Sequence, residues 1–307
     1  MKKLFFWIIG IYLVVGSILI LTMKEKVDIV NYFTIKQNYS RLMTENETLF
    51  VSLFIDSDKC FITHTQNIVS SSLKNEDSLI AVDILRIDKS DEDIVYSGRN
   101  YSLYNIEIDF TQVKVTNLFL GMKDCMLAIN YVNEVSLALE IGDVWLDFRE
   151  ISPSNHFDYN NLYAVINDLE GSEYITALVF RFESMTNYPI IIKNIRTVDS
   201  NISFDLNNVY MSEEKIAPQA LMSELIPDYE MFNEVDQGEF SLENELYYLI
   251  PLVYREKNKI YRFPIIIDYS YNDSDYTLII DDYLFFDEMI DLNEQSDKIR
   301  EYQYHYQ

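Results

Sequence analysis

The chain has 307 residues, room for about two domains of ~100–200 residues each. Its 24 Lys+Arg against 50 Asp+Glu give a formal net charge of -26, which repels phosphates and excludes nucleic-acid binding as the main role. With 49% hydrophobic and 14% aromatic residues it holds enough apolar surface for a packed core and is no disordered acidic tail.

The first element is the segment Leu4 to Met23, which carries no charge and is bracketed by Lys2, Lys3 and Lys24. At ~1.5 Å per helical residue it matches a hydrocarbon core of ~30 Å. Phe5, Phe6 and Trp7 stand where interfacial anchors belong. A cleaved signal peptide needs a shorter apolar region and small residues at its end, whereas this segment ends Ile20-Leu21-Thr22-Met23. Residues 1–23 are therefore expected to be an uncleaved transmembrane signal anchor. The tail before it is minimal, so the expected orientation is a short cytoplasmic N-terminus and an extracytoplasmic body in a single-pass cell-membrane protein. Residues 24–45, with Val27, Val30 and Phe33 at roughly helical spacing, are expected to form a juxtamembrane stalk.

The body reads as strands. Leu49, Val51, Leu53 and Ile55 alternate with other residues, as do Val135, Leu137, Leu139 and Ile141, and Tyr174, Thr176, Leu178, Phe180 and Phe182. Ile106 to Phe110 and Ile202 to Leu206 interleave apolar and polar side chains. Period two is the strand signature. Turns are expected at Ser97-Gly98, Asn160-Asn161, Asn207-Asn208 and Asn272-Asp273, because Asn and Asp tolerate the left-handed region. Aperiodic residues 149–161 mark a boundary. The expected fold class is mainly β: the transmembrane helix, then β-sandwich domains over 46–150 and 160–292, both immunoglobulin-like, and a polar tail over 293–307. Met126 to Phe148 and Pro264 to Phe286 share a pattern of apolar strand, Asn/Asp-Tyr, hairpin and aromatic strand, which suggests a tandem duplication; the rival is chance likeness of two hairpins.

Chemistry is sparse. The seven glycines form no G-x-G, Walker or G-x-S-x-G pattern, which argues against nucleotide enzymes and α/β-hydrolases. His64, His156 and His305 are scattered without zinc-ligand spacing. The acidic stretches Asp88 to Asp93 and Asp273 to Asp282 lack an EF-hand pattern and read as solvated turns. Fifty acids offer many carboxylate pairs and single out none. No cofactor and no catalytic residue is expected. Cys60 and Cys125 are the only cysteines; a disulfide closing that loop would be worth roughly 4 kcal/mol, and two buried thiols are the alternative. Their spacing resembles the inter-sheet bridge of immunoglobulin domains, without the Trp that follows the first Cys there. Met211 to Asp236, interrupted by Pro218 and Pro227, is expected to be a long excursion. Its Ile216, Leu221, Leu225 and Met231 are the candidate contact loop, since loops of this length in compact domains are often functional.

The reading is a non-catalytic binding or scaffolding protein of a bacterial cell envelope, contacting the membrane through residues 4–23 and a protein partner through its body. One alternative is an acidic protein that sequesters cationic peptides. Another is an envelope hydrolase.

Overall fold

The structure, a computed structural model, describes residues 29–44, 47–57, 60–110, 118–149, 156–169, 172–213, 233–234, 239–242, 246–255, 262–284 and 296–305. Among these residues no helix is long and apolar enough to cross a membrane; the expected anchor at 4–23 and the contact-loop residues Ile216, Leu221, Leu225 and Met231 lie outside them.

The chain is mainly β. The first body contains β1 (Ile29–Ile35), β2 (Gln37–Met43), β3 (Leu49–Ile55), β4 (Ile68–Lys74), β5 (Leu79–Tyr96), β6 (Arg99–Asp109), β7 (Leu118–Tyr131) and β8 (Ser136–Phe148), with two 3-10 turns at Phe61–Thr63 and Thr65–Asn67. The second contains β9 (Phe157–Leu169), β10 (Ser172–Ser184), β11 (Ile190–Arg196), β12 (Ile202–Phe204), β13 (Tyr210–Ser212), β14 (Asn233–Glu234), β15 (Phe240–Ser241), β16 (Tyr247–Tyr254), β17 (Arg262–Tyr271) and β18 (Ser274–Leu284). The last strand, β19 (Ile299–His305), returns to the first body and pairs with β1 along its whole length.

In the first body the sheet runs β19-β1-β3-β6-β5-β4-β7-β8-β2. β1 and β2 are consecutive in sequence yet lie near opposite ends of this order, so the sheet curls until its ends meet. The Thr34 hydroxyl donates to the Glu140 carbonyl across that closure. β2 then runs parallel to β8. In the second body β9, β10, β16, β13 and β14 form one sheet, with β12 on β16, and β15, β11, β17 and β18 form the other. Leaving out β2, β13, β14, β15 and β19, each body has seven strands and both obey one rule. The first, second, fifth and fourth strands neighbour one another, and so do the third, sixth and seventh. That is the strand order of an immunoglobulin-like sandwich. The bodies differ in one connection: β4–β5 bonds join the two halves of the first body.

Each body has its own core. Leu49, Val51, Leu53 and Ile55 of β3 meet Leu137, Leu139 and Ile141 of β8 in the first, and Leu178, Phe180 and Phe182 meet Ile265, Ile267 and Tyr269 in the second. Each fully buried large side chain contributes ~1.5–3 kcal/mol. Two expected turns form as two-residue loops. Ser97 and Gly98 have φ of 49° and 75°, and Asn272 and Asp273 have 49° and 61°, the paired positive φ of a hairpin whose twist matches its strands.

Several expectations need correcting. The stalk at 24–45 is not helical where it is described: β1 and β2 are strands of the first body. Tyr32 faces the main core while Phe33 and Ile35 face a second apolar cluster. A strand buried on both faces loses its alternation and imitates helical spacing. The expected polar tail at 293–307 is not left outside the fold, because Ile299–His305 is the paired strand β19. Asn160-Asn161 lies inside β9, where an irregularity opposite Arg181 and Phe182 absorbs the extra residue as a bulge. A second irregularity between Ile175 and Ala177 moves Tyr174 and Thr176 off the face of Phe180, so Ile175 enters the core instead.

Candidate functional site

Two features stand out once the side chains are followed from their strands. The first is the seam between the bodies. In β2, Tyr39 and Met43 point into the first core, so Leu42 points outward. β8 changes phase at Gly142, whose φ is 103°: Leu137, Leu139 and Ile141 fill the core before it, and Val144, Leu146 and Phe148 after it. The switch turns Trp145 outward beside Ser40, its register partner. Leu42 and Trp145 meet Val198, Ile266 and Ile279 of the second body. Gly121 makes room for the indole, since a Cβ there would lie 2.6 Å from the ring.

Polar groups surround this apolar patch. Asn38 donates to Asp199, and Asp199 accepts the backbone N–H of Asn201 at 2.7 Å. Burial and the nearby Asp199 charge raise the Tyr254 phenol above its ordinary value. Asn38 Oδ1, Ser40 Oγ, Trp145 Nε1 and Asn201 Nδ2 are buried with no hydrogen-bond partner among the described residues. Such groups carry a desolvation cost, so the apolar contact and the Asn38–Asp199 bond hold the seam against it.

The second feature lies where β19 crosses the end of the first body. A depression of about 330 Å³ is lined by Asn31, Tyr32, Tyr101, Glu301, Tyr302 and Gln303. The β1–β19 register sets Tyr302 against Tyr32 and Gln303 against Asn31, and the two tyrosine rings stack at 5.2 Å. Tyr302 is anchored because its hydroxyl accepts the Glu140 N–H at 2.8 Å. Asn31 donates to Asp56 and accepts from Gln303 at 3.2 Å. Glu301 accepts the Tyr96 hydroxyl at 2.9 Å, and no described Lys or Arg pairs with it. Phe33 lies 4.9 Å from Tyr101 and 5.1 Å from Tyr96, so an aromatic cluster backs the acid. Half of the lining comes from β19, within the segment expected to be a polar tail. The alternation of Tyr302 and Tyr304 with polar residues was the signal that could have identified it.

The residues singled out in the sequence fall elsewhere. Cys60 and Cys125 are free thiols, both buried. Burial, with a smaller push from Asp56, raises the Cys60 thiol to about 11. Burial, with Asp143 adding to it, raises Cys125 to about 12. Of the two readings left open, the structure has the pair of thiols. His156 stands at the start of β9, its Nδ1 2.8 Å from the Tyr269 hydroxyl and its ring stacked 4.2 Å from Tyr271. It packs among tyrosines of β17, and no metal-binding group of three His, Cys, Asp or Glu exists among the described residues. Asp88 to Asp93 lies within strand β5 and Asp275 to Asp282 within β18, so these acids stand on strands rather than in turns, with exposed pairs from Asp88 to Arg86 and from Asp275 to Lys193.

No protein-family model matches the chain, and no curated protein matches it. Among solved structures, it is similar at 8% identity to one described as the complete manganese lipoxygenase of Gaeumannomyces graminis with a partial zonadhesin of Komagataella pastoris. That match covers 82% of this chain and 94% of the other, with a TM-score of 0.26. It is similar at 8% identity to titin Ig tandem domains, over 82% and 96% of the two chains with a TM-score of 0.17. It is also similar at 8% identity to the C-terminal domain of the Streptococcus agalactiae AgI/II polypeptide BspA, over 81% and 98% with a TM-score of 0.18. Such scores carry no argument about overall shape or role, and the sandwich assignment rests on the strand order above.

Proposed function

We propose that this chain is a non-catalytic binding or scaffolding protein of a bacterial cell envelope, anchored in the membrane by residues 4–23 with its β bodies on the outer side. The observation that carries the reading is the seam: two immunoglobulin-like bodies held together by Leu42, Trp145, Val198, Ile266 and Ile279 and the Asn38–Asp199 bond. A unit joined in this way presents its strand edges and loops at a set spacing. A membrane anchor would raise its effective concentration for a neighbour on the same surface. The two similar hairpins noted in the sequence are the sixth and seventh strands of their respective bodies, which supports descent from one duplicated module.

The test is crosslinking of the anchored protein in its native cells, followed by mass spectrometry of what is captured. One recurrent membrane or envelope protein is the expected result; capture of the chain alone would overturn the scaffold reading. Fractionation tests the anchor separately, since loss of residues 4–23 should release the protein from membranes.

A second reading, an acidic protein that takes up cationic peptides, is favoured by a different observation, the exposed Glu301 carboxylate beside a surface depression, which accepts the Tyr96 hydroxyl and which no described Lys or Arg pairs with. It predicts uptake that weakens as salt rises.

A further inference from the structure

We propose that residues 214–232 of this chain dock on the outer face of the β9-β10-β16 sheet and cover it as a third layer, through an apolar stripe that contains Leu221 and Leu225. The proposal goes beyond the scaffold reading and is independent of it.

The first observation is burial on the unexpected side of a sheet. In a two-sheet sandwich the inner face of each sheet packs into the core and polar residues face outward. β10 and β16 depart from this. Leu178 and Phe180 of β10 and Tyr248 and Ile250 of β16 fill the second core. Their neighbours Ala177, Val179, Tyr247 and Leu249 point the other way, yet form an apolar cluster of their own with Val165 of β9. Val179 and Leu249 are 0% exposed, Val165 1%, Ala177 3% and Tyr247 4%. Tyr163 and Tyr210, which pack against the cluster, belong to β9 and β13 of the same sheet. A sheet does not bury the middle of its own face, so a further layer lies over it. The seam engages the first body with Ile266 of β17 and Ile279 of β18, in the other sheet.

The second observation is where the chain leaves and returns. β13 ends at Ser212, β14 begins at Asn233, and Met211 pairs with Asn233. Residues 214–232 therefore depart from and rejoin one point, on the strand next to β16. Neighbouring strands are ~4.8 Å apart, which puts β16 and β10 within ~10 Å of it. The third observation is the sequence itself. Pro218 to Pro227 reads Pro-Gln-Ala-Leu-Met-Ser-Glu-Leu-Ile-Pro. On a 3.6-residue period Leu221, Met222, Leu225 and Ile226 share one side, and Ser223 and Glu224 the other. Pro suits the first turn of such a helix and ends it. At ~1.5 Å per residue this stretch would be about as long as three strands are wide. An apolar stripe and an apolar face are thus within reach of each other. Leu221 and Leu225 then face the chain's own sheet rather than a partner.

The experiment measures maleimide labelling of single cysteine variants of the full chain at pH 7 in neutral detergent. Cys60 and Cys125 are buried and stay silent while the chain is folded. Leu178→Cys and Val179→Cys stand on opposite faces of β10, Leu221→Cys on the apolar stripe and Ser223→Cys on its polar side. Ser223→Cys should label fast and the other three slowly. Adding Leu225→Asp should speed Val179→Cys by about tenfold or more, the scale of losing one buried leucine, and leave Leu178→Cys unchanged. Fast labelling of Leu221→Cys, or a Val179→Cys that ignores Leu225→Asp, would overturn the proposal. Labelling of Val179→Cys that is fast in dilute chain and slow in concentrated chain would put a second copy on the face and overturn it as well. Should Leu225→Asp speed both β10 positions alike, the second body has unfolded and Leu221→Cys in the otherwise unaltered chain decides: slow labelling supports the docked segment and fast labelling overturns it.

Discussion

Asn38 and Asp199 are 161 residues apart, yet the Asn38 side-chain amide donates to the Asp199 carboxylate at 2.5 Å, joining β2 of the first body to the segment after β11 of the second. Asp199 is 1% exposed, so its charge depends on the few donors that reach it. Asn38→Ala removes one of them and should cost about 1.5–3 kcal/mol, the range for hydrogen bonds to charged groups. The measurement is urea unfolding followed by Trp145 and by far-ultraviolet dichroism in a Trp7→Phe background. The two probes should coincide in the parent and separate in the variant. Coincident, unshifted transitions in Asn38→Ala would show that the seam does not couple the bodies.

Gly142 should be irreplaceable. Its φ of 103° lies where L side chains rarely go, and a Cβ would stand 2.1 Å from the Gln37 carbonyl oxygen. Gly142→Ala should cost at least about 3 kcal/mol, strain and backbone displacement together. Gly98, with φ of 75° but nothing within 4 Å of an added Cβ, should accept Asn for less than about 1 kcal/mol. Thermal melts of the two variants decide the point; similar losses would mean that the close approach of β2 to β8 is unimportant.

Gly121→Val should expel the Trp145 indole, because even a Cβ at Gly121 sits 2.6 Å from that ring. In the Trp7→Phe background the remaining tryptophan emission should shift to the red, and the segment between the bodies should become more sensitive to protease. Emission that stays blue would place the indole's burial on contacts other than the seam.

Tyr302→Ala should loosen β19. It deletes the ring stacked on Tyr32 and the acceptor of the Glu140 N–H. We expect a cost of about 2–4 kcal/mol, whereas Tyr302→Phe, which keeps the ring, should cost about 1 kcal/mol. Amide hydrogen exchange in β1 reads the effect directly. Exchange in β1 that is unaltered by Tyr302→Ala would mean that the strand is held by its backbone alone.

The fold should weaken in alkali. Cys60 and Cys125 have ordinary values of 9.0 and are pushed to about 11 and about 12 by burial. A native state that keeps its thiol protons longer than the unfolded chain loses stability as pH rises. Their contribution is complete below pH 9 and disappears as pH climbs through 11 and 12. Burial raises Tyr32, Tyr131 and Tyr254 as well, which acts in the same direction at higher pH. Denaturation midpoints between pH 7 and 12 should therefore fall above 9. At pH 8 both thiols should react with thiol reagents only after unfolding.

Local patterning in the sequence was enough to reveal β3, β8 and β10 and the tight turns at Ser97-Gly98 and Asn272-Asp273. Each of these depends on neighbours only a few residues away: alternation along a strand, or side chains that tolerate positive φ. Tertiary structure alone decided the rest. β1 hides its alternation because Tyr32 and Phe33 face two different clusters. β19 finds its strand partner in β1 and its side-chain anchor at Glu140 of β8, both far away in the chain. The depression around Glu301 combines residues from positions 31 to 303, and the seam opposes Asn38 to Asp199. The sequence by itself determined a β-rich, acidic chain with an apolar first segment, because composition and short periods are local properties. Which strands close the first body, and which side chains meet between β1 and β19, depends on long-range pairing, whose energy no local pattern records.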